Sequence, residues 1–211
     1  MPGKLIVFEG LDRSGKTTQC KIITSWMNKN VGPTEMIRFP NRESETGKLI
    51  DAVLSGSKTM NNESLHLLFA ANRWEEKERM DKLISQGIHT ICDRYSESGI
   101  AYSVARGLNY DWCCNTEKGL HIADLILFLE IPIDTIEKRM GYGKEITERA
   151  VFQEKVREAY KTIQSDKRLG EKYVGMGTTS RTEDRWIKIN ANQSYDLVTD
   201  EIISELQKRL E

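Results

Sequence analysis

The stretch Gly10-Leu11-Asp12-Arg13-Ser14-Gly15-Lys16-Thr17 has the spacing of a phosphate-binding loop: glycine, four residues, then glycine, lysine and a hydroxyl residue. Each residue type has a task in holding a nucleoside triphosphate. Gly10 and Gly15 permit backbone angles that a side chain would forbid, Lys16 reaches the terminal phosphates, and the Thr17 hydroxyl ligates magnesium. A glycine turn before an ordinary surface helix would leave Lys16 and Thr17 unexplained. Asp93-Arg94-Tyr95 adds a carboxylate at the end of an apolar run, where an acid can hold the water shell of a triphosphate-bound metal. The alternative is that Asp93, Ser96 or Ser98 only caps the next helix. The arginines Arg13, Arg42, Arg73 and Arg94 suit two phosphorylated substrates, because guanidinium forks match phosphate geometry.

These residues need a scaffold that brings them to one edge. Leu5-Ile6-Val7-Phe8 is an uninterrupted apolar run, as a parallel strand covered on both faces requires. After the loop, Cys20, Ile23, Trp26 and Met27 recur at helical spacing, so loop amides and a helix N-terminus face the same anion. A second strand, Glu35 to Phe39, ends at Pro40 and puts Arg42 at the strand's C-terminal end, either at the edge that holds ligands or merely solvated in a loop; a helix follows over Thr46 to Leu54. Asn61-Asn62 caps one long helix carrying Leu65, Leu68, Phe69, Met80, Leu83 and Ile84 until Gly87 stops it. Within it Phe69 and Arg73 share a face, either bracketing a base or serving as a packed phenylalanine beside a surface arginine.

Further strands are expected at Ile88 to Cys92, Asp124 to Ile131 and Trp186 to Ile189, and helices around Tyr102, from Pro132 to about Arg139, from Val151 to Ile163 and from Tyr195 to Leu210. Pro132 is assigned a first-turn position. The polar segment Met140 to Arg149 reads as a flap that closes over a triphosphate or as a plain surface connection, and Arg168 to Glu183 reads as a long irregular loop. Alternating strands and helices give an α/β class with a five-stranded, doubly wound parallel sheet.

A length of 211 residues suits one domain covering 1–211. Thirty-one Lys and Arg against thirty-two Asp and Glu leave a net charge of -1, so no overall field draws the chain to nucleic acid or membrane. The four cysteines have no Cys-x-x-Cys spacing and the three histidines are scattered, which excludes a zinc site and reads as buried thiols in a reducing compartment. Leu5 to Phe8 and Leu125 to Leu129, each closed by a glutamate, are too short for a signal sequence or a membrane span, so a soluble cytoplasmic or nuclear protein is expected. The Asn-Lys-x-Asp motif of guanine-reading switches is missing. A monophosphate acceptor is already anionic and needs cations rather than a general base, whereas a hydroxyl acceptor would need a carboxylate, a part Asp93 could fill.

The set Gly10 to Thr18, Phe39-Pro40-Asn41-Arg42, Phe69-Ala70-Ala71-Asn72-Arg73-Trp74, Asp93 to Gly99 and Phe152-Gln153 closely resembles the thymidylate kinases of eukaryotes and poxviruses over nearly the whole chain. The resemblance implies a P-loop nucleoside monophosphate kinase fold with a flexible lid at about 140–149, transfer of phosphate from ATP to thymidine 5'-monophosphate (dTMP) with Mg2+, and a homodimer. It makes Ser14, Gly15, Lys16, Thr17 and Thr18 triphosphate contacts, puts Arg13 on the transferred phosphoryl group and packs Arg139 on adenine. It sets Asp12 by the sugar 3'-hydroxyl, Arg42 and Arg94 on the acceptor phosphate, and Asp93 with Thr17 at magnesium. Phe39, Ser98, Gly99 and Gln153 fall to the acceptor side. Phe69 would stack on thymine, Arg73 donate to its carbonyl, and Tyr102 crowd a ribose 2'-hydroxyl. The catalytic set becomes Arg13, Lys16, Asp93 and Arg94. Two departures stand out: Thr147 occupies the place of a lid tyrosine, and Arg168 to Glu183 exceeds the usual connection.

Overall fold

The structure, a computed structural model, describes residues 1–138, 147, 149–166 and 185–210. Five parallel strands, β1 (Leu5–Glu9), β2 (Thr34–Arg38), β3 (His89–Asp93), β4 (Leu125–Glu130) and β5 (Trp186–Asn190), lie in the order β2-β3-β1-β4-β5. The central strand β1 is buried along its whole length, which its continuous apolar run anticipates. Register aligns Phe8 with Asp93 and Arg38 with Asp93, so the ends of β1, β2 and β3 meet at one edge. Open parallel sheets bind ligands at this C-terminal edge.

Helices cover both faces: α1 (Lys16–Asn30), α2 (Glu45–Leu54), α3 (Asn62–Glu75), α4 (Lys77–Ser85), α5 (Ser96–Ala105), α6 (Tyr110–Thr116), α7 (Ile133–Glu137), α8 (Ala150–Ser165) and α9 (Tyr195–Leu210). One core joins Ile6, Phe8, Cys20, Ile23 and Met27 to Val156, Tyr160 and Ile202. The other packs Leu5, Val7 and Ile37 against Met80, Leu83 and Ile84. Each such large aliphatic side chain contributes ~1.5–3 kcal/mol on full burial. Gln19, buried on α1, donates to the Tyr195 carbonyl at 3.0 Å and accepts from Thr199 at 2.9 Å, which fixes α9 against the first helix.

Three sequence expectations change. The single helix from Asn61 to Gly87 is two, broken at Glu76, whose N–H turns back to the carbonyls of Arg73 and Trp74. There the Glu76 carboxylate takes Asn41 Nδ2 at 2.9 Å and Arg79 at 3.1 Å, and the break lets Met80, Leu83 and Ile84 turn into the second core. Helix α6 went unforeseen, although Asn109 caps it by accepting from Trp112 N at 2.9 Å. Pro132 is the N-cap rather than the first helical residue. The flap expected at Met140 to Arg149 lies, except for Thr147 and Arg149, outside the described residues, as does the segment Arg168 to Glu183.

The candidate active site

A cleft of about 760 Å³ opens at the C-terminal edge of the sheet. On one wall, Gly10 turns at φ 138° and Gly15 at φ 102°, and a Cβ on Gly10 would sit 2.7 Å from the Leu129 carbonyl oxygen. Helices α2, α3 and α6 are capped by Ser44, Asn61 and Asn109, but no side chain caps α1 at Gly15. The first N–H groups of α1 are thus left to an anion. Lys16 is 5% exposed and folds back to the Leu11 carbonyl at 2.5 Å and Ser14 Oγ at 3.1 Å. Burial first, then Arg94, pulls its pKa down to about 7 against the pull of Asp12, Asp93 and Glu9. Thr17 Oγ1 donates to Asp93 Oδ2 at 2.5 Å, so the two candidate metal ligands already touch.

Among the described non-glycine residues only Arg13 (φ 61°) and Arg94 (φ 70°) adopt left-handed backbone. Such strain persists where surrounding structure enforces it, and here it aims two guanidinium groups at one cleft. Arg94 donates to the Gly10 carbonyl at 3.1 Å and Ser98 Oγ at 2.9 Å, pairs with Asp12, and lies 5.0 Å from the Tyr102 ring centre. Burial opposes its charge, and Tyr102 and Asp12 outweigh burial, holding its pKa well above the ordinary arginine value. Asp12 shows the mirror case: burial raises its pKa, but Arg94, Lys16 and the hydrogen bonds of Tyr102 and Gln153 bring it below the usual range. Gln153 does not line the cleft. It is fully buried, accepts from Asp12 N at 3.0 Å and donates to Asp12 Oδ2 at 2.8 Å and to the Thr147 carbonyl at 2.7 Å.

The alternative that Asp93, Ser96 or Ser98 only caps α5 does not hold. Glu9, fully buried at the end of β1, accepts from Tyr95 N at 2.9 Å, Ser98 N at 3.1 Å, Ser98 Oγ at 2.6 Å and Tyr160 Oη at 2.6 Å. This carboxylate does the capping and leaves Asp93 to Thr17. Its only sequence signal was a charged residue closing an apolar strand.

Phe69 and Arg73 both reach the cleft from α3. Arg73 is no surface residue: it is 2% exposed and makes a two-armed ion pair with the fully buried Glu117, Nε to Oε2 at 2.8 Å and Nη2 to Oε1. The guanidinium lies flat on α5 because position 99 has no side chain; a Cβ on Gly99 would fall 2.3 Å from Arg73 Nη2. Asn72, buried beside it, accepts from Asn41 N at 2.8 Å and donates to Ser44 Oγ at 3.0 Å and Thr46 Oγ1 at 2.9 Å. It fixes the Phe39–Arg42 loop against α3.

Asp12, Arg13, Gly15, Lys16, Thr17, Thr18, Phe39, Arg42, Phe69, Arg73, Asp93, Arg94, Ser98, Gly99 and Tyr102 all line the cleft. Arg42 also pairs with Asp51. Ser14 lies under the loop against Lys16, and Arg139 falls outside the described residues. Arg38, Leu54, Tyr95, Arg106 and Tyr195 line the cleft too. Sequence reasoning missed them, together with the buried supports Glu9, Asn72 and Glu117. Among the described residues no three His, Cys, Asp or Glu form a metal cluster, all four cysteines are buried, and no helix is long and apolar enough to cross a membrane.

A family model described as thymidylate kinase matches residues 8–202. The chain is 39% identical over 207 residues to a thymidylate kinase of Plasmodium falciparum, covering 98% of this chain and 90% of that one. It is 33% identical over 207 residues to the human thymidylate kinase, covering 98% of each chain. Among solved structures, a Candida albicans thymidylate kinase aligns at TM-score 0.84 and 33% identity, covering 100% of this chain and 94% of that one.

Proposed function

The chain belongs to the thymidylate kinase family and transfers a phosphoryl group from ATP to dTMP, giving dTDP and ADP; we propose that it does so with Arg13, Lys16, Asp93 and Arg94 as its catalytic groups. The observation that carries this reading is a cleft lined both by the phosphate loop, with Arg94 and Tyr102 beside it, and by Phe69 and Arg73 of α3. The donor phosphates lie on the uncapped start of α1, with Lys16 released from the Leu11 carbonyl to meet them. Arg42 and Arg94 hold the acceptor phosphate and Asp12 faces the sugar 3'-hydroxyl. Phe69 stacks on the base and Arg73, a donor only, meets a carbonyl oxygen and rejects an amino group. Phe39, Ser98, Gly99 and Gln153 complete the acceptor side, the last through Asp12.

Two unit charges ~4 Å apart repel by about 4 kcal/mol at an effective dielectric near 20, so approach of the phosphates is governed by cations. No general base is required, since the acceptor is an anion already. Arg13, fixed within the loop, follows the migrating charge with little reorganisation. Mg2+ suits this site because Thr17 and Asp93 offer two touching oxygen ligands of the hard type it prefers. When bound, it neutralises charge on the donor phosphates.

A homodimer fits the exposure of Leu67 and Trp74, seven residues apart on one face of α3. A single domain and a cytoplasmic or nuclear location complete the reading. The test offers ATP and Mg2+ with each nucleoside monophosphate and follows ADP. If dTMP is not among the best acceptors the reading fails, and nucleotide binding with no acceptor-dependent turnover would indicate a switch.

A further inference from the structure

We propose that Arg38 is a further phosphate-binding residue of this cleft, its guanidinium bridging the Asp93 carboxylate and a phosphate oxygen of a bound nucleotide. Arg38 closes β2 and pairs in register with Asp93. Strand alternation puts it on the face of Met36, which packs with α1, and opposite Ile37 and Phe39, which enter the other core. It therefore projects toward the phosphate loop, where it lines the cleft.

Its state differs from that of its neighbours. Arg73 is committed to Glu117 through two nitrogens, and Arg94 to Asp12, Gly10 and Ser98. Among the described residues Arg38 makes a single ion pair, Nε to Asp93 Oδ2 at 3.5 Å, too long for a hydrogen bond, while the same oxygen takes the 2.5 Å bond from Thr17. Its side chain is 58% exposed, and among the described residues its terminal nitrogens make no hydrogen bond. A guanidinium carries five donors in one plane, so Nε can stay on the carboxylate while the two terminal nitrogens grip an anion. The arrangement also solves an electrostatic problem. Asp93, placed to serve a metal, repels every phosphate that enters, and a cation beside it offsets that repulsion. An arginine held at one end also loses less freedom when it grips a ligand than one wholly free in solvent.

The inference rests on the kinase reading, and the phosphate could belong to donor or acceptor, so the experiment separates these. Binding of ADP, adenosine, dTMP and thymidine is measured by calorimetry or competition, in EDTA, for the unaltered chain and for Arg38→Ala and Arg38→Lys. We expect Arg38→Ala to weaken at least one nucleotide tenfold or more and leave its nucleoside unchanged, a hydrogen-bonded charge being of that order. Arg38→Lys, which keeps the charge but loses the fork, should fall between. Loss with ADP alone identifies the donor phosphate and loss with dTMP alone the acceptor phosphate. Parallel loss of nucleotide and nucleoside, or no loss in either nucleotide, overturns the assignment. Failure of the unaltered chain to bind or phosphorylate dTMP would instead sink the kinase reading, leaving the ADP arm to judge Arg38.

Discussion

Removing Glu117 should separate the two demands placed on Arg73, support of the fold and recognition of the base. Both members of the pair are almost fully buried, with side-chain exposures of 3% and 0%. Glu117→Ala strands a buried guanidinium, and stranding one member of a buried pair costs ~3–5 kcal/mol. In a chain of this length each kcal/mol shifts the melting temperature by ~2–4 °C, so a fall of ~6–20 °C is expected in circular dichroism melts. Replacing the pair together, Arg73→Met with Glu117→Leu, removes both charges and should recover most of that stability. It should not recover acceptor use, because the donors aimed into the cleft are gone: kcat/KM for dTMP should stay depressed by about fivefold to 150-fold, the cost of an unmade buried hydrogen bond. ATP affinity should be spared in the double variant. Gly99→Ala tests the same geometry from the other side, since its Cβ would meet Arg73 Nη2 at 2.3 Å and the guanidinium cannot retreat without breaking its pair. A melting shift under ~2 °C for Glu117→Ala, or full dTMP turnover in the double variant, would refute the reasoning.

Arg13→Ala should depress kcat by ~10³–10⁵ with nucleotide affinity and folding little changed, and Lys144→Ala and Arg149→Ala should be mild; a worse defect in either of the latter at saturating substrates would move catalysis out of the phosphate loop. Lys16 has a folded pKa of about 7 against 10.5 unfolded, so the unfolded chain binds the extra proton between these values and its contribution to stability grows as pH rises through that window. Phosphate binding favours charged Lys16, so ADP should bind with net proton uptake at about pH 8.5, where its phosphates, with a second pKa near ~6, have no proton to lose; calorimetry in buffers of different ionisation enthalpy showing none would contradict this. Glu97, desolvated and beside Glu9, titrates at about 7 rather than 4.5, so the stability it contributes is present below 4.5 and lost as pH rises through about 7. Glu97→Gln should remove that decline and melt higher than the parent at pH 8; an unchanged pH profile would show that Glu97 does not sense its burial.

Phosphate binding was legible in the sequence because it depends on local backbone: a glycine spacing, a continuous apolar strand before it and a helical stripe after it occupy adjacent residues. The five strands and most of the helices followed from the same short-range patterns, α6 and the break between α3 and α4 excepted. Asp93 and Arg94 could be placed at the sheet edge since an apolar run ends there, and Phe69 could be set on the face of Arg73 because helix geometry fixes residues four apart. Whether that arginine packs, binds or stays in solvent could not be read from spacing, since Glu117 approaches from the C-cap of α6, a helix too short for sequence periodicity to reveal. Capping of α5 by Glu9, anchoring of the Phe39–Arg42 loop by Asn72 and tethering of Asp12 by Gln153 span 86 to 89, 31 and 141 residues of chain. Such contacts leave no period in the sequence. They arise when register brings the ends of β1, β2 and β3 together, and buried polar groups then take whichever partners that meeting supplies.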